Sequence, residues 1–283
     1  MRIGELSRRV GVSPELLRAW ERRYGLLRPE RTDGGFRLYS SADERRVQAM
    51  QQQLALGLSA AEAANVALAA TEDEPAAAES AGGPADGARA LEEALDGLDD
   101  GAAQTALDGL FGAFMLETVL GDVILPYLRR LGERWERNEV TIGQEHFASN
   151  LLRARLLGLA RGWGRGTGPR ALLACAPGEL HDLPLIIFGL ALRARGWRIT
   201  FLGPDTPVAT VAETAERLGP VLVVVSAAQA GRLETAAGEL RALARKQPLA
   251  IAGAGADDAL ARKLRCRALP PDPLAAAAAS ASA

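Results

Sequence analysis

The chain has 283 residues, 48% hydrophobic and 24% charged, which is the size of two or three modules and the composition of a soluble globular protein. No apolar run approaches the ~20 residues that cross a bilayer. Met1-Arg2-Ile3-Gly4-Glu5 lacks a signal-peptide core, and Cys175 and Cys266 lack metal spacing, so a cytoplasmic protein with inert thiols is expected, without a membrane partner. The net charge of −2 is unevenly spread: residues 1–50 hold eleven arginines against seven acids, and residues 71–100 hold ten acids against Arg89 alone. That asymmetry suits a phosphate-binding N-terminal face followed by a solvated linker.

In chain order, Ile3–Val10 reads as a helix and Gly11-Val12 as a tight turn. Ser13 is an N-cap with Pro14 at the first helical position, opening a second helix to about Tyr24. Two short helices joined by a glycine turn form a helix-turn-helix, whose second helix enters a DNA major groove. Ser13 lies near the start of that helix, and Arg18 and Arg22, four apart, share one of its faces. Thr32 to Tyr39 reads as a hairpin, because Asp33-Gly34-Gly35 supplies positive φ at its turn. Such a hairpin is a wing, with Arg37 and Tyr39 placed to touch phosphates. Ser41 and Glu44 have the spacing of a capping box for a further helix.

Residues 71–88 are rich in Ala, Gly, Pro and Glu and read as a flexible linker. Residues 89–165 show helical periodicity sufficient for about four helices in a bundle, including one from Ile142 to Leu159. Over 166–270, short apolar runs at 171–174, 198–202, 221–226 and 249–252 alternate with helical patterns at 183–195, 207–218 and 232–245. That alternation predicts a doubly wound parallel sheet with helices on both faces. The last residues, 271–283, read as a disordered tail. Of the two histidines, His181 follows the first predicted strand, where parallel sheets bind ligands, and imidazole is a common transition-metal ligand. An acidic neighbour, Glu179 or Asp182, can fix its tautomer. A lone histidine of this kind is more often structural, and spacing alone does not make it a ligand.

Resemblance narrows these readings. Leu17-Arg18-Ala19-Trp20-Glu21-Arg22-Arg23-Tyr24-Gly25-Leu26, followed by Arg31-Thr32-x-Gly34-Gly35-x-Arg37-Leu38-Tyr39, resembles the MerR family of transcriptional regulators over residues 1–70. It implies a winged helix-turn-helix on double-stranded operator DNA, with Tyr24 and Arg37 on phosphates. Residues 89–255 resemble the cobalamin-binding module of methionine synthase and its relatives, a four-helix cap on a Rossmann-like domain. There Glu179-x-His181 matches the cobalt-ligating motif, though Pro184 replaces its glycine. Ser226 keeps one residue of a Ser-x-Leu motif, and Gly253-Ala254-Gly255 matches its glycine region loosely. Trp135 with Glu145-His146 resembles the CarH-like, light-sensing branch of MerR regulators, in which those residues line the adenosyl face of adenosylcobalamin.

The resemblance therefore implies a photoreceptor repressor, not an enzyme. It would bind its operator as a dimeric or tetrameric homo-oligomer in the dark and release it in light. In that branch a histidine can follow the tryptophan and capture cobalt after photolysis; here Glu136 stands there, leaving water, His146 or Glu136 as the lit-state ligand. A regulator sensing cobalamin abundance or another tetrapyrrole without light chemistry is the alternative. A cobalamin enzyme fused to a DNA-binding head is disfavoured, because no substrate barrel, redox cysteine pair or catalytic triad is visible.

Overall fold

The computed structural model describes residues 1–31, 37–55, 59–72 and 83–282. The chain divides into two compact units, Met1–Gly82 and Gly83–Ala283.

In the first unit, helix α1 (Ile3–Val10) ends at Gly11, whose φ of 65° lets its N–H return to the Ser7 carbonyl. Helix α2 (Pro14–Tyr24) starts at Ser13, whose hydroxyl accepts from the Leu16 N–H at 3.3 Å. Strands β1 (Glu30–Arg31) and β2 (Arg37–Leu38) pair antiparallel, so the hairpin exists; its Asp33-Gly34-Gly35 turn lies outside the described residues. Helices α3 (Ser41–Ala55) and α4 (Ala60–Glu72) follow. Leu6, Leu17, Trp20, Leu26, Val47, Met50 and Tyr39 form the core.

The capping box of α3 sits one residue earlier than the spacing of Ser41 and Glu44 predicts. The Ser40 hydroxyl accepts from the Asp43 N–H at 3.1 Å, and Asp43 accepts from the Ser40 N–H at 2.8 Å. Asp43 is fully buried, since it also accepts from the Arg28 N–H and from Arg46. Tertiary demand chose the shorter acid over Glu44.

The second unit begins inside the predicted linker. Helix α5 (Pro84–Asp96) takes Pro84 at its first turn and buries Leu91 and Leu95. Residues 71 and 72 end α4 and 84–88 belong to α5, so both ends of the predicted linker are helical; 73–82 lie outside the described residues. Helix α6 (Asp100–Ala113) is capped by Asp99, and α7 (Leu116–Thr118) runs through a π-helical segment, Val119–Ile124, into α8 (Leu125–Glu136). Pro126 has no N–H to bond four residues back, and the widened turn before it accommodates that loss. Helix α9 (Ile142–Leu159) completes the bundle behind a Thr141–Gln144 capping box.

Then come β3 (Arg170–Cys175), α10 (Leu183–Ala194), β4 (Arg198–Gly203), α11 (Val208–Leu218) and β5 (Leu222–Ser226). They are followed by α12 (Ala230–Thr235), α13 (Ala237–Ala244), β6 (Leu249–Ala252), α14 (Asp258–Leu264), β7 (Arg267–Ala268) and α15 (Pro273–Ala281). The single helix predicted over 232–245 is thus two. The sheet is parallel throughout, in the order β4-β3-β5-β6-β7. Its fifth strand is only two residues long, too short to leave a periodic signal.

The predicted disordered tail is ordered. Asp272 accepts from the Leu274 and Ala275 N–H groups at 3.0 and 2.9 Å, Pro273 opens α15, and Ala276, Ala277 and Ser280 are buried. Alanine has the highest helix propensity, and its small side chain lets α15 lie close on α10. One continuous core joins the bundle to this face of the sheet, through Leu152, Leu156, Trp163, Leu173, Ile186 and Leu190. A second core lies on the opposite face, beneath α11, α13 and α14.

Candidate cofactor site and nucleic-acid interface

In the order β4-β3-β5 the strand order reverses at β3, because the chain crosses to β4 on one side and then returns to β5 on the other, so the loops leaving β3 and β5 diverge and open a crevice at their carboxyl ends. His181 lies in the loop after β3. Cys175 and Ser226 are register partners at the strand ends, as are Ser226 and Ala252, so His181, Ser226 and Gly253 all belong to this edge.

The imidazole is held from below. Its Nδ1 lies 2.6 Å from Glu179 Oε1, which also accepts the His181 N–H at 2.9 Å, while Glu179 Oε2 accepts the Ala228 N–H at 2.7 Å. Glu179 is 3% exposed whereas the His181 side chain is 74% exposed. Burial opposes the Glu179 charge, but the two backbone N–H groups and the imidazole outweigh it and hold the carboxyl below its usual range. With Nδ1 engaged, Nε2 is the ring nitrogen free to act as a ligand; it has no hydrogen bond among the described residues.

Asp182 does not share that task. It is buried and bonded through both carboxylate oxygens to Arg153 Nε, at 2.8 and 3.0 Å, which ties the histidine loop to α9. Arg153 carried no sequence signal, because a lone arginine in a helix has no spacing to betray its partner. Beneath the loop, burial first and then Asp182 and Glu179 push the Cys175 thiol up to about 12, which keeps it protonated and inert.

Two glycines let the neighbouring loops meet. Gly253 has φ 90°, and a Cβ there would stand 2.4 Å from the Ala227 carbonyl oxygen; one at Gly255 would stand 2.4 Å from the Gln229 carbonyl carbon. A narrow slot of about 20 Å³ runs between this edge and α15, lined by Pro184, Phe188, Ser226, Gly253, Pro271 and Ala276.

Trp135 ends α8 and Glu145-His146 open α9, so residues 137–141 bring the three to one end of the bundle. Trp135 is 43% exposed. Glu145 accepts from the Ser149 hydroxyl at 2.6 Å, with His146 Nε2 3.6 Å from its other oxygen. His146 and Arg153 are seven residues, about two turns, apart and so share a face of α9. That is the face whose Arg153 meets the histidine loop.

In the N-terminal unit, Arg18 and Arg22 are exposed on α2 and Tyr24 is half-buried under Arg23. Glu21 organises the wing: Arg37 Nε donates to its Oε1 at 3.0 Å and the Tyr39 hydroxyl to its Oε2 at 2.8 Å. Arg37 remains exposed and available to a phosphate, but Tyr39 does not. Tyr39 is 2% exposed, its hydroxyl faces inward, and burial followed by the Glu21 bond raises its pKa to about 12. Tyr39 is therefore not a phosphate contact as the hairpin pattern predicts, because so short a strand, Arg37–Leu38, has no alternation to show which way the residue after it points.

Residues 1–69 match the MerR HTH family regulatory protein family, and 88–157 and 169–265 each match a B12 binding domain family. The HTH-type transcriptional repressor CarH of Myxococcus xanthus is 32% identical over 90% of this chain and 89% of its own. The HTH-type transcriptional repressor CarA of the same organism is 35% identical over 92% and 88%. The chain belongs to the MerR family of B12-binding transcriptional regulators.

For this MerR regulator, a monomethylamine corrinoid protein of Methanosarcina barkeri gives the fold of the second unit, with a TM-score of 0.57 at 18% identity over 68% of the chain and 95% of that protein. The residues present fit a corrinoid cobalt, to which His181 would offer one imidazole nitrogen with no need of a ligand cluster. No cluster of three or more His, Cys, Asp or Glu ligands exists among the described residues. No helix among them is long and apolar enough to cross a membrane.

Proposed function

We propose that this regulator is a light-responsive repressor that binds operator DNA as an oligomer in the dark, with adenosylcobalamin, and releases it on illumination. The observation that carries the reading is His181, exposed yet braced through Nδ1 by buried Glu179 at the switch point of the sheet. The enclosed carboxylate fixes Nδ1 and leaves Nε2 on the exposed side of the ring, the arrangement in which a metal-binding histidine is held by its other nitrogen.

Bound adenosylcobalamin supplies a cobalt that accepts an imidazole and a cobalt–carbon bond that light can break. The chain supplies the rest. His181 would offer Nε2 to the cobalt, with Glu179 orienting the ring and Asp182 fastening its loop to α9 through Arg153. Ser226 and Gly253 line the slot that would take the nucleotide tail, and Gly255 lets the neighbouring loop pack close to Gln229. Trp135, Glu145 and His146, at one end of the bundle, would line the adenosyl group. Residues at this end of the bundle would pack differently with and without that group, and a difference of that kind would bias the assembly toward one of two states. Several linked DNA-binding units gain avidity by proximity, so disassembly suffices to release the operator. On DNA, Ser13, Arg18 and Arg22 serve the groove-facing helix, and Tyr24 and Arg37 hold phosphates.

The test is sedimentation and operator binding of the full chain with adenosylcobalamin, in the dark and after green light. A larger, DNA-bound species in the dark only is the expected result; equal size and equal DNA affinity in both conditions overturn the reading. A second reading, a sensor of cobalamin abundance without photochemistry, draws on Glu136, an exposed carboxylate where an imidazole would capture cobalt. It predicts an oligomer that responds to cobalamin and ignores light.

A further inference from the structure

The sheet has a second concavity, at the edge opposite His181. A cleft of about 510 Å³ opens at the amino-terminal ends of the strands. Pro169 precedes β3, Trp197 precedes β4, Val221 precedes β5 and Pro248 precedes β6; together they make its apolar walls. Its volume falls in the roughly 300–1,000 Å³ range of small-molecule sites. Two polar groups face this apolar lining. Arg267, the first residue of β7, is exposed, and its guanidinium has no ion pair or hydrogen bond among the described residues. Ser280, in the last turn of α15, is 2% exposed, and its buried hydroxyl has no hydrogen-bond partner. A buried hydroxyl without a partner costs about 1–3 kcal/mol, so it marks a place where a partner is missing.

We infer that this cleft is a binding site for an amphiphilic monocarboxylate, distinct from the cobalamin site. The walls take the apolar part, the Arg267 guanidinium takes the anionic head, and the Ser280 hydroxyl donates to the same carboxylate. No acid lines the cleft to repel an anion. A single guanidinium matches one carboxylate, whereas a polyphosphate would need several cations.

Calorimetric titration of the full chain with decanoate, and with decanol as its neutral analogue, tests the inference. Saturable one-to-one binding of decanoate is expected, with decanol at least tenfold weaker. Arg267→Gln should weaken decanoate about tenfold or more, and Ser280→Ala severalfold. Val221→Glu, at a side chain 56% exposed and therefore harmless to folding, should weaken it as strongly by placing a like charge at the mouth. His181→Ala should leave it unchanged. Absence of saturable binding overturns the site. So does an affinity that Arg267→Gln and Val221→Glu leave unaltered, and equal affinity for decanoate and decanol overturns the ligand class.

Discussion

Both units place a functional segment with buried or half-buried carboxylates, and they use them differently. In the DNA-binding unit Asp43 and Glu21 bind other parts of the same unit: Asp43 joins Arg28, Ser40 and Arg46, and Glu21 fixes Arg37 and Tyr39. These acids make a rigid frame and leave the reading to exposed arginines. In the cofactor-binding unit Glu179 closes its bonds on Ala228 and His181 so that one ring nitrogen points away. The first arrangement stabilises a shape, and the second prepares a ligand at some cost in stability. Removing the acid should therefore damage folding in one unit and binding in the other.

Asp43→Ala should give the largest effect. It strands the Arg28 and Ser40 N–H groups and a nearly buried Arg46, and should lower the stability of the first unit by about 3–5 kcal/mol. Thermal melting of this unit would show the loss, while the cobalamin spectrum of the full chain stays unchanged. Glu179→Gln should do the reverse: cobalamin affinity falls about 10–100-fold with little change in melting. A destabilised but tightly binding Glu179→Gln protein would erase the contrast. Glu21→Ala comes next; losing one partner of the buried Tyr39 hydroxyl and of Arg37 should cost about 1–3 kcal/mol and weaken operator binding, seen as a steeper loss of DNA affinity on warming.

The pH dependence sharpens the same comparison. Burial disfavours the Asp43 charge, but the backbone N–H bonds and Arg46 outweigh it and hold its pKa below the usual value. Its stabilisation is therefore complete above the unfolded aspartate value near about 4 and is lost as pH falls through the lower folded value. The gap in melting temperature between the natural chain and Asp43→Ala should be full at neutral pH and close in acid; a gap that widens in acid would refute the ionised network. The smallest effect belongs to Tyr39→Phe, about 1 kcal/mol, because Glu21 keeps Arg37. Operator affinity that collapses in Tyr39→Phe, without loss of stability, would restore its hydroxyl to the DNA surface.

Much of this was legible in one dimension. Glycine turns, the Ser13 cap and helical periodicity act over a few residues, so α1, α2 and α9 fall where local chemistry puts them. Alternating apolar runs and helices likewise announce a parallel sheet, and the position of His181 after its first strand follows from chain order alone. What tertiary structure decided is what distant segments do to each other. It buried Tyr39 against Glu21 and moved the α3 cap to Ser40. It joined Asp182 to Arg153 across 29 positions and gave the imidazole to Glu179 alone. It also turned an alanine-rich ending into α15, because a helix too short to hold in water is stable once α10 buries one side of it. Propensity and spacing are carried by neighbours in sequence; the pairing of a buried charge depends on which groups the folded core brings within 3 Å.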